Sequence, residues 1–289
     1  MGLAPSIDRV GAMSSGTEYF ENPLSLGAVR SWDSLLRRQA DIFFPSDVPF
    51  LKQTGMGATR QLLDLGCGAG YYTDLLKKHF PRMNILAADT NPDLLAEYEK
   101  RRRETSASKV TTFRWTAGQN NVPAEFKECD AVLARLVLQH VADPLRILQE
   151  MYDFLPQGAR VFILEEDDGA YCTSPNLPAF DRLMGCWRKL AQKHRANRYI
   201  GREIPRLMGL AGFQVKSVDL VAHTNATIGL RVMFELFLDS LNAVRESDSS
   251  IVSADQVAKI TEEMNQYLRE YGEKSLFNYP HYLVVGQKN

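Results

Sequence analysis

A short apolar segment that ends in a cluster of glycines is the strongest constraint on the fold of this chain. Residues Gln61–Leu65 have the length and composition of a buried strand, and Gly66, Gly68 and Gly70 follow at once. The residues after Gly70 have the spacing of an amphipathic helix. A strand, a glycine turn and a helix N-terminus allow the backbone to approach a ligand closely. We therefore expect a ligand-binding turn at this point.

Strand-like and helical patterns alternate around this turn, from residue 61 to residue 164. Such alternation is typical of a parallel sheet with crossover helices. After residue 164 the alternation becomes irregular, and long helical runs precede the last strand. The predicted strands are 61–65, 85–88, 131–134, 161–164, 213–221 and 282–285, and the predicted helices include 145–155, 178–196, 202–210, 229–244 and 254–271. We predict one α/β core, 58–289, with helical insertions at about 166–200 and 225–275, preceded by a helical segment, 1–57.

The composition excludes several classes of protein. The 34 basic and 35 acidic side chains leave a net charge of −1, so a protein whose main partner is nucleic acid or an anionic membrane is not expected. No apolar segment approaches the ~18 residues of a membrane span. The start of the chain lacks the pattern of a secretory signal, and the four cysteines lack zinc-ligand spacing. We expect a cytoplasmic protein with free thiols and no metal site.

The details of the glycine turn favour a nucleoside that carries positive charge. The dinucleotide-binding fingerprint requires a third small residue where this chain has Tyr71. Asp64 lies two residues before the first glycine, where its charge would repel a pyrophosphate and attract a cation. Asp89 follows the glycines by about twenty residues, the position at which a carboxylate accepts ribose hydroxyls. S-adenosylmethionine meets these requirements because it has no phosphate and carries an ammonium and a sulfonium group.

Three segments resemble the motifs of a known family. Residues 63–70, LDLGCGAG, resemble the first motif of class I S-adenosylmethionine-dependent methyltransferases. Residues 130–144, DAVLARLVLQHVADP, are similar to the fourth-strand motif of their ubiquinone/menaquinone-methyltransferase-like branch, and residues 156–161 resemble the turn before their fifth strand. The resemblance covers about residues 60–221. It implies a Rossmann-like sheet of seven strands, mostly parallel with the last strand antiparallel, helices on both faces, S-adenosylmethionine as the cofactor, and a lid formed by the segment 1–57.

The resemblance also implies a set of cofactor-binding residues by matched position. The methionine end would be held by Asp64 and the turn residues Gly66, Cys67, Gly68 and Gly70, with Arg135 next to the methionine carboxylate. The ribose would be held by Asp89, Thr90 and Asn91, and the adenine by Gly118 and Gln119. The family usually has an aspartate at the adenine amino group, whereas Gly118 or Gln119 aligns there in this chain. Gln119 would replace the aspartate through its amide oxygen.

An acidic run, residues 165–168, marks the expected substrate side of the site. Adjacent carboxylates raise one another's pKa, and in a cleft they take a proton or hold a cationic amine. The alternatives are a solvated acidic loop that caps the next helix and a two-carboxylate metal site. We select Asp167, Asp168 and Tyr171 as catalytic candidates, together with His140, for which a packed and hydrogen-bonded histidine is the alternative.

Aromatic residues at helical spacing predict the walls of a pocket for the methyl acceptor. Trp187 and Phe234 lie on such apolar faces, and Tyr19 lies in the N-terminal helical segment. The alternatives are that these residues belong to the core, or that the faces pack against a second copy in a homodimer.

Together these features predict an enzyme that transfers the methyl group of S-adenosylmethionine to an oxygen, nitrogen or carbon atom of a small metabolite. The transfer is an in-line displacement in a lidded and locally acidic pocket. An RNA or protein methyltransferase is the alternative enzyme, although the chain has no Asn/Asp-Pro-Pro-Tyr-like motif. A regulatory scaffold that binds S-adenosylmethionine without catalysis is the alternative of a different class.

Overall fold

One mixed β-sheet organises the computed structural model, which describes residues 24–105 and 110–289. Its strands are β1 (Gln61–Leu65), β2 (Asn84–Asp89), β3 (Val110–Arg114), β4 (Ala131–Arg135), β5 (Arg160–Glu166), β6 (Cys172–Ser174), β7 (Gln214–Thr224) and β8 (Leu276–Gln287). The strand order is β3-β2-β1-β4-β5-β8-β6, and β7 pairs with the other edge of β8. The first five strands are parallel, and β8 is antiparallel to its three neighbours. This confirms the predicted Rossmann-like α/β fold, with eight strands in place of seven.

Helices cover both faces of the sheet and one of its edges. They are α1 (Leu26–Gln53), α2 (Tyr71–His79), α3 (Pro92–Thr105), α4 (Pro144–Phe154), α5 (Pro178–Lys193), α6 (Ile204–Leu210), α7 (Asn225–Ile228), α8 (Leu230–Ser247) and α9 (Ala254–Glu270). The starts of α3 and α4 follow from their sequence, because a capping side chain and a proline at the first helical position both favour a helix start. The caps are Asn91, which accepts from the N–H of Leu94 at 3.0 Å, and Asp143, which accepts from the N–H of Arg146 at 3.1 Å.

Three elements differ from the predicted strands. The sequence pattern did not reveal β3, which lies at the edge of the sheet and buries only Val110. It also missed the three-residue strand β6, which extends the sheet beyond the end of β5 along β8. The last strand is longer than predicted because Pro280, an expected strand breaker, lies where β8 pairs with β7 alone, between its contacts with β5 and β6.

Three apolar clusters form the core. Two of them cover the faces of the sheet, one under α1, α2 and α3 and the other under α4 and α6. The third joins the first half of α1 to α5, α8 and α9 beyond the carboxyl ends of the strands. The N-terminal segment and the late helices therefore meet over one edge of the sheet. Among the described residues, no helix is both long and apolar enough to cross a membrane.

Candidate active site

A cavity lies where the carboxyl ends of β1, β2, β4 and β5 meet three helices. Asp64, Asp89, Arg135 and Glu166 lie at or next to the last positions of these strands and line the cavity. Helices α1, α5 and α8, here called the roof helices, close it mainly with apolar side chains, which include Trp32, Leu35, Leu36, Phe43, Met184, Trp187, Leu236 and Phe237. Ligands of open α/β sheets bind outside the carboxyl ends of the strands. The cavity is therefore the candidate active site.

The glycine turn forms the floor of the cavity next to α1. The N–H of Gly68 donates to Oδ2 of Asp89 at 2.7 Å, which ties the turn to the end of β2. Gly68 has a φ of +54°, which favours glycine, and a Cβ atom there would lie 2.8 Å from Cδ1 of Leu36, so α1 packs closely against the turn. Of the turn residues named above, Gly66, Cys67 and Gly68 line the cavity, and Gly70 lies behind them at the start of α2.

Asp64 and Asp89 bring two carboxylates to this floor. Thr73 donates its hydroxyl to Oδ2 of Asp64 at 2.6 Å, and burial raises the pKa of Asp64 to about 6. Asp89 accepts from the N–H groups of Gly68 and, at 2.8 Å, Asn91, and burial raises its pKa as well. Each carboxylate keeps lone pairs for further donors. A ligand with cationic or hydroxyl groups would offset the cost of burying them.

The two residues after Asp89 differ in their placement. Thr90 lines the cavity, and its hydroxyl is 2.6 Å from that of Thr116. Asn91 is fully buried, and its side chain caps α3 instead of lining the cavity.

The structure places Gly118 and Gln119 outside the cavity lining. Glu150 of α4 accepts from the N–H of Gly118 and fixes this turn away from the cavity, and Gln119 is exposed. The preceding residues Trp115, Thr116 and Ala117 line the cavity instead, together with Ile147 of α4. A ligand on this side would contact the segment 115–117, which lies just before the matched positions 118 and 119.

Arg135 reaches the cavity from the end of β4. Its Nε is 3.4 Å from Oδ2 of Asp47, and its guanidinium lies over the rings of Tyr72, at 4.6 Å, and Phe43, at 5.6 Å. Its Nη2 is buried and has no hydrogen-bond partner among the described residues. A buried guanidinium nitrogen without a partner is costly, so this atom is suited to bind a ligand carboxylate.

A second polar group lies at the far end of the cavity, under the roof helices. Oε2 of Glu166 accepts from Nη2 of Arg198 at 2.6 Å and from the hydroxyl of Tyr279 at 2.7 Å. Arg198 also donates to Gln139 and, at 3.0 Å, to Asp168. Glu166, Arg198, Tyr279 and Gln139 all line the cavity. They form one connected hydrogen-bond network in an otherwise apolar wall.

The other residues of the acidic run point away from the cavity. Asp167 is held by Arg202, whose Nε is 2.6 Å from Oδ2, and Asp168 is buried against Arg198. Tyr171 donates its hydroxyl to Asp181 at 3.0 Å. Neither aspartate nor Tyr171 lines the cavity. Strand β5 extends to Glu166, and successive side chains of a strand point to opposite faces, so Glu165 and Glu166 point to different sides. Glu166 is the member of the run that lines the cavity.

His140 and Trp187 line the cavity, and Phe234 does not. The His140 ring packs between Trp32 and Trp187, with ring centroids 6.4 and 6.1 Å away, and burial lowers its pKa to about 3. The neutral imidazole is therefore part of an aromatic wall. Phe234 lies in the core behind this wall, 6.0 Å from the ring of Tyr267. Tyr19 lies outside the described residues.

The charged groups of the cavity wall are more balanced than the sequence suggests. Three carboxylates, Asp64, Asp89 and Glu166, face two guanidinium groups, Arg135 and Arg198. The expected acidic cleft thus has a formal excess of one negative charge.

Several residues of the cavity wall carry no signal in the sequence. Arg198 and Tyr279 are 32 and 113 residues away from Glu166 along the chain, so no local motif joins them. A buried arginine between helices α5 and α6 is recognisable only from its contacts. Trp32 and Phe43 belong to the apolar face of α1, which by itself indicates only that one side of the helix is buried.

Known proteins share both sequence and fold with this chain. A family model described as a methyltransferase domain matches residues 63–161. The chain is 26% identical over 109 residues to the trans-aconitate 2-methyltransferase of Afipia carboxidovorans, which is 38% of this chain and 40% of that protein. It is 22% identical over 227 residues to the malonyl-[acyl-carrier protein] O-methyltransferase of Hahella chejuensis, which is 77% of this chain and 75% of that protein. The chain spans less than half the length of several curated relatives that it matches, namely 44%, 40% and 32%.

A solved structure with the same fold is the phosphoethanolamine N-methyltransferase 2 of Haemonchus contortus in complex with S-adenosyl-L-methionine. It superposes with a TM-score of 0.58 at 15% identity, over 96% of this chain and 60% of that chain. At this identity the superposition supports the fold alone, and the sequence matches add the family. Together these comparisons support a class I S-adenosylmethionine-dependent methyltransferase domain of the small-molecule type.

Proposed function

We propose that the protein transfers the methyl group of S-adenosylmethionine to a hydroxyl or amine group of a small molecule with an apolar body. One observation carries this proposal: a single cavity has two chemically different ends. Asp64, Asp89 and the glycine turn form one end, and the Glu166–Arg198 network under the aromatic wall forms the other. The first end suits the donor and the second suits the acceptor.

The residues of the donor end fit S-adenosylmethionine. The unpaired Nη2 of Arg135 would bind the methionine carboxylate, and the carboxylate of Asp64 would bind the ammonium group. Asp89 would accept the ribose hydroxyls. The segment 115–117 would provide the wall beside the adenine. When it is bound, the cofactor supplies an electrophilic methyl group on its sulfonium.

The charges at the acceptor end narrow the acceptor class. Arg198 is already paired with two carboxylates, Glu166 and Asp168, so its positive charge is balanced within the protein and attracts a carboxylate of the acceptor only weakly. Oε2 of Glu166 accepts two hydrogen bonds, and the free lone pairs of its carboxylate would accept one more from a hydroxyl or an amine. We therefore expect an acceptor without the carboxylates that the names of the trans-aconitate and malonyl relatives imply.

The chain contributes alignment and exclusion of water. Methyl transfer is an in-line displacement, so the accepting atom must be held behind the methyl group in the correct orientation. Trp32, Trp187 and Phe237 surround the acceptor end with apolar surface, which keeps water away from the sulfonium. A hydrogen bond to Glu166 would fix the orientation of the acceptor and increase the electron density on its attacking atom.

The donor assignment is tested by titration calorimetry with S-adenosylmethionine. Asp64→Ala is expected to weaken binding at least tenfold, because it removes the charge opposite the ammonium group. Thr73→Val is the matched control, since it removes the hydrogen bond to Asp64 and keeps the carboxylate. It should change the affinity less than threefold. Unchanged binding by Asp64→Ala would contradict the donor assignment.

The acceptor is identified by incubation of the protein with methyl-labelled cofactor and separate pools of small metabolites, RNA and proteins. We expect label in a small molecule. Mass spectrometry should show that the labelled product is a methyl ether or a methylated amine. Label in RNA or protein alone would support the alternative enzyme class. Binding of the cofactor without label in any pool would support the regulatory scaffold, and both outcomes would overturn the proposal.

A further inference from the structure

Three buried side chains with metal-binding atoms converge outside the cavity, between α1 and the last two strands. Asp47 belongs to α1, His223 to β7 and His281 to β8, and each is fully buried. Their ligand atoms lie within 4.8 Å of one another. His281 pairs with Val221, two residues before His223, so both imidazoles lie on the same face of the sheet. None of the three lines the cavity.

The polar atoms of this cluster are not satisfied by the described protein. Neither ring nitrogen of His223 or His281 has a hydrogen-bond partner there, and Oδ1 of Asp47 has none. The other oxygen of Asp47 accepts from the hydroxyl of Tyr72 at 3.0 Å and faces Nε of Arg135 at 3.4 Å. Buried polar atoms almost always have a partner. Five such atoms without one, all in the same place, indicate a bound group.

Packing alone does not account for the cluster. The ring of Phe43 lies 4.6 and 4.5 Å from the two imidazoles, and the imidazoles lie 4.4 Å from each other. These contacts bury the rings and provide no acceptor for an N–H group. The ring nitrogens, which have no partner among the described residues, are the atoms through which histidine binds metals.

The charged groups around the cluster are compatible with a bound cation. Arg135 is a positive group next to the cluster, and its Nε faces Oδ2 of Asp47, whereas Oδ1 has no partner among the described residues. Glu166 is a second carboxylate near the cluster, with Oε1 3.9 Å from Nε2 of His281. The positive charge of Arg135 is thus matched by Asp47, and a further carboxylate lies within reach of the imidazoles.

We propose that Asp47, His223 and His281 form a binding site for a divalent transition metal of the zinc type. Two imidazoles and one carboxylate suit zinc, cobalt or iron, whereas magnesium and calcium prefer oxygen ligands alone. The site lies next to the cavity, behind the cavity-lining residues Phe43, Arg135 and Glu166, and its ligands join roof helix α1 to β7 and β8. We assign the metal a structural role, which is to fix the helix that closes the acceptor end.

The test begins with the wild-type protein and does not depend on methyl transfer. The protein is stripped with a chelator and titrated with Co²⁺ while the visible absorption is recorded, and Zn²⁺ is then added. We expect one Co²⁺ per chain, ligand-field absorption, displacement by Zn²⁺, and a higher melting temperature with either metal. Absence of both the absorption and the melting shift in the wild type would overturn the proposal.

Variants then locate the metal. His223→Ala and His281→Ala should each lose the absorption and the metal-induced melting shift. His79→Ala removes an exposed histidine of α2 and should keep both. A variant that does not fold leaves the wild-type titration decisive. Metal that stays bound to a folded double variant of His223 and His281 would place it elsewhere and would also overturn the proposal.

Discussion

Replacement of Gly70 by alanine tests how tightly the glycine turn packs. Gly70 has a φ of +74°, and a Cβ atom there would lie closer than 3.0 Å to three ring atoms of Tyr98. Tyr98 is fully buried, its hydroxyl donates to Asp74 at 3.1 Å, and Arg101 lies over its ring at 5.2 Å. The ring is therefore held from both sides and cannot move away without loss of these contacts.

The expected loss of stability has two parts. The left-handed backbone costs about 1 to 2 kcal/mol for a residue with a Cβ atom. Overpacking against Tyr98 adds about 1 to 3 kcal/mol. Gly158 provides a matched control, because its φ of +84° is also positive but nothing lies within 4 Å of its Cβ position. We expect Gly158→Ala to lower the free energy of unfolding by about 1 to 2 kcal/mol and Gly70→Ala by about 2 to 5 kcal/mol.

Equilibrium unfolding in urea, followed by circular dichroism, measures this difference. Calorimetric titration of the same variants with S-adenosylmethionine should show weaker binding for Gly70→Ala only, since that substitution displaces the turn. Equal losses of stability in the two variants would show that Tyr98 moves aside at no cost, and the packing argument would then be wrong.

Three further predictions concern the acceptor end and the pH dependence of stability. Glu166→Gln should lower the turnover in a methyl-transfer assay at least tenfold, while the calorimetric affinity for S-adenosylmethionine stays within threefold. Glu235→Gln, which changes an exposed residue of α8, is the control. Full activity of Glu166→Gln would remove Glu166 from the site. Trp187→Phe loses the 3.0 Å hydrogen bond to Ser240. It should raise the KM for the acceptor several-fold without a change in cofactor affinity. A change in cofactor affinity alone would contradict the division of the cavity into a donor end and an acceptor end. Burial raises the pKa of Glu165 from 4.5 to about 8, so the folded state holds this proton and the associated stability is lost as the pH rises through 8. Between pH 6 and pH 8 the free energy of unfolding should fall by about 2 kcal/mol for this reason. Urea unfolding of Glu165→Gln should not show this decrease. The same dependence on pH in the variant and the wild type would refute the assignment.

The sequence predicted well which residues lie at the glycine-turn end of the cavity, because these residues lie in short motifs. Asp64, the glycine turn and Asp89 follow the strand ends of a βαβ unit, where spacing fixes position. The acidic run was also located correctly at the end of β5. Its orientation was not, because which of four successive carboxylates faces the cavity depends on the residue at which the strand ends.

The acceptor end was harder to predict for a physical reason. Arg198, Tyr279 and Trp32 come from distant parts of the chain and meet only after the roof helices have packed. The same limit applies to Asp47, His223 and His281, which lie too far apart in the sequence to show metal-ligand spacing. Helical spacing identified the apolar faces of α5 and α8, and tertiary packing decided that Trp187 faces the cavity and Phe234 the core.

The position of the roof helices along the chain has an evolutionary consequence. The family-matched segment, 63–161, contains the strands that carry Asp64, Asp89 and Arg135, whereas α1, α5 and α8 lie entirely outside it. If the cavity is divided as proposed, mutations in those three helices would reshape the acceptor end and leave the donor residues unchanged. On this proposal the chain could take a different acceptor through segments that lie outside the part matched to the family.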